Sequence, residues 1–371
     1  MARPEPYAIL PPMREVALLS SRILVGAGLL SEESDRLYEL LGRPGRAFVL
    51  TDRRCRPYAR QVREALRRGG ARVGGTALVP GEPQKRLSTA GTLYERLARF
   101  GMDRRSTLVA VGGGVITDLG GFVASTYMRG IPVVLVPTTL LGQVDAAIGG
   151  KTGINLPQGK NLVGTFYQPR AVLCDPAALA TLPPREYVSG FGEVVKYGMI
   201  RDADLFASLE RDIEGIHRRS PSVLEEIVFR CVSIKADVVR EDEKESGLRA
   251  ILNYGHTIGH ALEAAGDYRV LSHGEAVAVG MEAEAVIAMK MGLAPLEVLA
   301  AQNRLLKLCG LPTRVRRLPR QRVLSALKLD KKGVDGRTRF VLPEAVGRVR
   351  WGVEAPEELI DAALRTVTLD R

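Results

Sequence analysis

A chain of 371 residues is long for one typical domain and suits two, each large enough to bury its own core, and 46% hydrophobic with 26% charged residues is globular rather than disordered composition. No uninterrupted apolar run of about eighteen residues occurs, and the opening MARPEPYAIL lacks the basic-then-apolar layout of a secretory leader, so a cytoplasmic protein without membrane spans is expected. The formal charge of +11 is spread along the chain without a basic arm or an aromatic-interleaved stripe, which argues against nucleic acid as partner and suits an acidic small substrate.

Four scattered cysteines, Cys55, Cys174, Cys231 and Cys309, contain no CxxC pair, so neither a disulfide framework nor a thiolate zinc site is indicated. Lysine usage is more informative. Only 11 lysines stand against 42 arginines, yet Lys85, Lys151, Lys160, Lys196, Lys235, Lys331 and Lys332 all fall in the segments singled out below.

From about residue 20 to 180, short apolar runs alternate with helical stretches. RAFVLTD is followed by a helix through 58–69, then ARVGGTALVP, a helix through 88–101, STLVAVGGG, IPVVLVPTT and AVLCD. Val- and Leu-rich strands that end in Gly, Asp or Thr before helices predict a largely parallel α/β sheet, with ligands at the strands' carboxyl ends.

Gly112-Gly113-Gly114 follows one such strand and opens a helix, where bare backbone lets a pyrophosphate approach the helix N-terminus. Alone, the triplet is equally well a tight turn. It is accompanied by Asp52 at the end of RAFVLTD, suited to ribose hydroxyls, by Gly81-Glu82-Pro83-Gln84-Lys85, and by Pro137-Thr138-Thr139, each closing another strand.

After Leu182-Pro183-Pro184 strand-like runs almost vanish and helical periodicity takes over, as in 222–242 with Leu224, Ile227, Val228, Cys231, Ile234 and Val238 on one face. The boundary is expected near 183. Three of the four histidines lie within eighteen residues: His256, His260 and His273. Read as one helix, the segment 249–260 puts Arg249, Asn253, His256 and His260 within an arc of roughly 60°. The remaining positions are apolar or small, so a buried helix with one polar stripe facing a cavity is expected. Two imidazoles with a carboxylate such as Glu193, on an earlier helix, make the three-ligand set of a catalytic zinc site. The HxxxH spacing also occurs in metalloproteases, but those need Glu after the first His, and Thr257 stands there. His217, in Gly-Ile-His-Arg-Arg, reads as a surface residue.

Taken together, GGGVITDLGGFVASTYMRG, VPTTLLGQVDAAIGGKTGIN, GKNLVGTFYQPRAVLCD, LPPREYVSGFGEVVKYG, RAILNYGHTIGHALEA and SHGEAVAVGM resemble 3-dehydroquinate synthase, in order from about residue 20 to 345. The resemblance implies an α/β, Rossmann-like domain over 1–182 and an all-α domain over 183–371, an active site in the cleft and a homodimer. It implies the shikimate-pathway conversion of 3-deoxy-D-arabino-heptulosonate 7-phosphate to 3-dehydroquinate and phosphate. In that reaction the C5 hydroxyl is transiently oxidised at the expense of NAD, phosphate is eliminated, the ketone is reduced again, and the opened ring closes by an intramolecular aldol step.

By motif position the resemblance assigns a divalent metal, Zn2+ or Co2+, to Glu193, His256 and His273. Around the substrate's charged groups and hydroxyls it implies Lys151, Asn161, Lys196, Lys235, Arg249, Asn253, His260 and one lysine of Asp330-Lys331-Lys332, with Arg129 reaching in from a second subunit. His260 is the candidate proton relay, or else a support for a ligand. On the NAD side it implies Asp52, Glu82, Lys85, Gly113, Gly114, Val115, Asp118, Thr138, Thr139, Asp145, Lys151, Lys160 and Thr181. Gly142 and Gly192 stand where the family often has alanine, and Thr117 where it often has glycine; none removes a charged group.

The nearest rivals are sister sugar-phosphate cyclases, the aminodehydroquinate, deoxyinosose and epi-valiolone synthases. Arg129, Lys235, Arg249 and Asn253 argue against the last two and leave the amino variant open. An iron-type polyol or glycerol dehydrogenase would release NADH at each turnover and does not account for GGKTGIN and GKN. A basic nucleic-acid-binding protein would bind DNA with steep salt dependence and gives no reason for a polar stripe inside an apolar helix.

Overall fold

The structure is a computed structural model and describes residues 13–30, 36–245, 247–330 and 338–369. Its contacts divide the chain into two units, residues 1–138 with 150–180, and residues 139–149 with 181–371. Against the expected division at 182/183, the segment 139–149 groups with the second unit.

The first unit runs β1 (Arg14–Leu18), β2 (Ser21–Val25), α1 (Arg36–Leu40), β3 (Arg46–Asp52), α2 (Arg56–Arg68), β4 (Arg72–Leu78), α3 (Leu87–Phe100), β5 (Thr107–Gly112), α4 (Gly114–Thr126), β6 (Val133–Pro137), β7 (Lys151–Leu156), β8 (Gly159–Phe166) and β9 (Ala171–Cys174). Among the described residues its sheet has seven strands in the order β1-β2-β9-β6-β5-β3-β4, all parallel except β1, which forms an antiparallel hairpin with β2. The strands read from sequence are there, and both helices begin one or two residues early. The β1–β2 and β7–β8 hairpins escaped the reading. Strands β5, β6 and β9 are buried along their whole length, the mark of a parallel sheet covered on both faces.

From β3 the chain goes first to β4 on one side and then crosses to β5 on the other. This reversal is the switch point at which open α/β sheets bind their ligands. The sequence puts Asp52 and the glycine triplet at the carboxyl ends of those two adjacent strands.

The second unit contains α5 (Pro184–Ile200), α6 (Ala203–Arg211), α7 (Ile213–His217), α8 (Pro221–Glu241), α9 (His256–Ala265), α10 (His273–Lys290), α11 (Leu296–Leu308), β10 (Val315–Arg316), α12 (Arg320–Asp330), β11 (Arg339–Ala345), β12 (Arg348–Glu354), α13 (Glu357–Val367) and β13 (Thr368–Leu369). Helix α10 is buried on every side from Ala276 to Met281 and again from Ala283 to Ala288, and α5, α9, α11, α13 and β11 pack against it. A helix apolar all round is stable only as such a central element. The unit is mainly helical, with the antiparallel hairpin β11–β12 as an addition that sequence reading missed.

Helices α9 and α10 approach closely because their contact is built of Gly255, Gly259, Ala276 and Gly280. A Cβ at Gly280 would collide with the Gly255 carbonyl. Residues 249–260 are not one helix. A 3-10 turn over Leu248–Asn253 ends at Tyr254, and Gly255, at φ +78°, breaks the chain before α9 starts at His256. An L side chain rarely takes that conformation. The expected stripe is thereby divided: Arg249 is 1% exposed, and its guanidinium meets the Glu243 and Gly149 carbonyls.

Candidate active site

In the second unit three side chains from three helices converge. Glu193 comes from the buried middle of α5, whereas His256 and His273 are each the first residue of their helix. The α5–α10 crossing is again a backbone contact: a Cβ at Gly192 would strike the Gly274 carbonyl, so the next residue, Glu193, lies beside His273. Ser189 Oγ accepts from the Gly274 amide at 3.1 Å, and the Ser272–Glu275 capping box fixes where α10 begins.

His256 Nε2 is 3.3 Å and His273 Nε2 3.2 Å from Glu193 Oε1. The outer nitrogen of each ring is tied elsewhere. His256 Nδ1 donates to the Tyr254 carbonyl at 3.1 Å, and His273 Nδ1 to Glu263 Oε2 at 3.2 Å. Because a carbonyl can only accept, His256 Nδ1 carries a proton there, and Nε2 is the nitrogen turned inward toward Glu193.

The electrostatics favour an ionised Glu193. Burial pushes its carboxyl up, but the paired Lys196 ammonium and His256 outweigh burial and hold it well below the usual range. Burial disfavours charge on His273, yet Glu193 and Glu263 on either side push it up to about 10. His260, exposed beside these rings, goes the other way, down to about 4, through desolvation by the protein around it and then the neighbouring His256 and His273. Among the described residues a second convergent set, His260, Glu263 and His273, shares His273 with the first.

A cavity of about 570 Å³ opens beside these rings, lined by Asn253, His256, His260, Glu245, Arg339 and Trp351 among others. Of the expected stripe it collects Asn253, His256 and His260; Arg249 is not among its lining residues. Glu245, Arg339 and Trp351 were missed. Glu245, which accepts from Asn253 Nδ2 at 2.9 Å, belongs to an acidic run that reads as a solvated helix end. Arg339 and Trp351 belong to the overlooked hairpin, whose strands RFVLPEA and RVRWGVE carry only a broken alternation.

Elsewhere in the unit, Lys235 Nζ donates to the backbone and carboxylate oxygens of Asp145 at 2.7 Å each, and the Tyr197 hydroxyl donates to the same carboxylate at 2.8 Å. Asp145 lies in a π-turn, Gly142–Ala146, whose entry is capped by Thr139 Oγ1 accepting from the Gly142 amide. Tyr197 was not foreseen, since a tyrosine on an apolar helix reads as core. Thr181 is exposed at the end of a 3-10 turn. His217 bonds the Leu308 carbonyl on the surface.

In the first unit the carboxyl ends of β3, β5 and β6 bring together Asp52, Gly113 and Gly114 with Val115 at the start of α4, and Thr138. The first amides of a helix have no acceptor within it, so the α4 terminus offers donors to an anion. Asp52 Oδ1 accepts from the Arg54 and Cys55 amides at 2.7 and 3.1 Å, and the Cys55 thiol lies 3.2 Å from the Thr138 hydroxyl. Cys55 is one of four scattered cysteines, and the other three are buried. It is half-buried in this crevice instead, and burial pushes it up to about 11.

A second cluster joins Lys85 to Asp118 at 2.6 Å and to Asn161 at 2.5 Å, while Asn155 donates to Glu82 at 2.7 Å. Asn161, expected beside substrate, thus lies with residues expected beside NAD. Lys151 begins β7, Lys160 lies on β8, and Arg129 is exposed in a turn where Met128 and Arg129 both have positive φ. Lys331 and Lys332 lie outside the described residues.

Comparison with known proteins agrees over most of the chain. Residues 76–189 match the family "3-dehydroquinate synthase N-terminal" and residues 190–333 "3-dehydroquinate synthase C-terminal". A 3-dehydroquinate synthase of Nostoc punctiforme is 48% identical over 83% of this chain and 86% of its own. Among solved structures, 2-deoxy-scyllo-inosose synthase complexed with carbaglucose-6-phosphate, NAD+ and Co2+ superposes with a TM-score of 0.85 at 31% identity, over 96% of this chain and 100% of that one. The 2-epi-5-epi-valiolone synthase of Streptomyces hygroscopicus, with NAD+ and Zn2+ bound, also gives 0.85, at 28% identity over 96% and 98%.

Proposed function

The chain belongs to the 3-dehydroquinate synthase family, and we propose that it converts 3-deoxy-D-arabino-heptulosonate 7-phosphate to 3-dehydroquinate and phosphate as a carbon–oxygen lyase that needs NAD and a divalent cation. The observation that carries this reading is the meeting of Glu193 with His256 Nε2 and His273 Nε2, each ring anchored through its other nitrogen. One carboxylate and two imidazoles with a cavity alongside are the donor set of a catalytic Zn2+ or Co2+. The ligands of the two superposed synthases support the same pair of cofactors.

When bound, the cation polarises the substrate's adjacent hydroxyls, and the dinucleotide takes up a hydride and returns it, chemistry that no side chain supplies. The chain's own groups position and screen. Glu193, His256 and His273 hold the cation, and Lys196 keeps Glu193 ionised. His260, neutral on the cavity wall, relays protons. Lys151, Asn161, Lys235, Arg249, Asn253 and Lys331 or Lys332 bind the substrate's carboxylate, phosphate and hydroxyls. Asp52, Glu82, Lys85, Gly113, Gly114, Val115, Asp118, Thr138, Thr139, Asp145, Lys160 and Thr181, with Lys151, contact NAD. The α4 terminus beside Asp52 supports that assignment.

A homodimer is part of the proposal, with Arg129 completing the partner's site. The apolar face of β8, where Leu162 is 58% and Phe166 52% exposed, supports it, since monomers rarely leave such side chains together in water. No described helix is long and apolar enough to cross a membrane, which fits the proposed cytoplasmic location.

The test supplies the heptulosonate phosphate with trace NAD and follows phosphate with and without a chelator. Phosphate release that stops on chelation, with no accumulation of NADH, is expected. NADH formed in step with turnover would mean a dehydrogenase instead. Glu193→Ala should lose both metal and phosphate release; full metal content in that variant would overturn the ligand assignment.

A further inference from the structure

The two histidine-bearing helices are coupled by two buried glutamates that run in opposite directions. Glu263, on α9, is 6% exposed and accepts from Nδ1 of His273 on α10 at 3.2 Å. Glu284, on α10, is fully buried and accepts through Oε2 from the Gly255 amide at 2.7 Å and through Oε1 from the Ile258 amide at 3.3 Å, bracketing His256 at the start of α9. Neither glutamate is needed to bury apolar surface, and an acid in such a place is costly unless its oxygens are used. Gly255 has no side chain to cap α9, so the cap must come from elsewhere. On the proposed function, we infer that Glu263 and Glu284 are positioning residues: each helix lends a carboxylate that fixes the cation-binding histidine of the other.

The two act at different points. Glu263 fixes the ring orientation and tautomer of His273 directly, presenting Nε2 to the cation. Glu284 acts on backbone and fixes the height and turn at which His256 leaves the Gly255 break. Removal of either should loosen the cation without touching the dinucleotide crevice.

The experiment uses the full chain, stripped of metal and titrated with Co2+, whose visible absorption reports ligand geometry, and adds a competing chelator to measure affinity. Partners of metal-bound histidines are worth about 10- to 100-fold in affinity, and that loss is expected for Glu263→Ala, with an altered Co2+ spectrum and unchanged NAD affinity. Glu263→Gln keeps an acceptor for Nδ1 and should recover most of the loss. Because Glu284→Ala risks unfolding, Glu284→Gln is the variant of choice: it keeps one acceptor but turns a donor toward the Ile258 amide, and a loss of about tenfold is expected at an unfolding midpoint close to the parent's. Affinity and spectrum within twofold of the parent in both Glu263→Ala and Glu284→Gln would overturn the inference while leaving the function intact. A parent chain that binds no Co2+, or binds it equally well as Glu193→Ala, would overturn both.

Discussion

Asp145, Lys235 and Tyr197 form a buried polar knot whose charge state can be read from pH. Burial pushes the Asp145 carboxyl up, but the Lys235 ammonium outweighs it, and the group is held down at about 2. An aspartate whose folded pKa lies below its unfolded value of about 3.9 stabilises the fold above that value and ceases to do so as pH falls through the folded one. The contribution is on the order of 2 kcal/mol. Urea unfolding of the parent should therefore show stability falling between about pH 4 and about pH 2, and Lys235→Met should flatten that dependence while destabilising the neutral protein by leaving Asp145 buried without its counter-charge. An unchanged slope in the variant would mean that the pair is not what holds Asp145 ionised. Lys235 was legible because lysine is scarce in the chain, so each one drew attention, whereas Asp145 came only with the family resemblance. Tyr197, Glu245, Glu263 and Glu284 were not, because glutamates and tyrosines at helical spacing look the same whether they face water, core or a ligand ring.

At the scale of elements, the site depends on how closely helices can approach. The α9–α10 contact uses glycine and alanine where most helix pairs use larger side chains, and the α5–α10 contact brings Gly192 against Gly274. Gly280→Ala should cost about 1–3 kcal/mol, the range for overpacking a tight contact, and it should also weaken Co2+ binding, since separating the helices separates His256 from His273. Differential scanning calorimetry and the cobalt titration check the two effects; a variant as stable as the parent would mean that the helices can part without strain. The parallel strands and long helices were predictable because burial on two faces leaves continuous apolar runs and burial on one leaves a 3.6-residue period. The break at Gly255 was not, because a helical wheel carries no record of a positive φ. The β11–β12 hairpin was overlooked for a related reason: its register contains irregularities at Phe340/Leu342 and Pro343/Ala345 that disturb the two-residue alternation.

For the molecule as a whole, the apolar face of β8 predicts self-association. Replacing Leu162 and Phe166 together by arginine should yield a monomer by sedimentation velocity that keeps the parent's far-ultraviolet circular dichroism, with a lower unfolding midpoint because association no longer stabilises the folded state; a parent that sediments as a monomer would remove dimerisation and the shared role of Arg129 together. The same chain holds one tryptophan, and Trp351 stands in the wall of the cavity that His256 and His260 also line. Occupancy of that cavity can therefore be followed by the emission of a single native fluorophore, with no label attached and no competing indole to subtract.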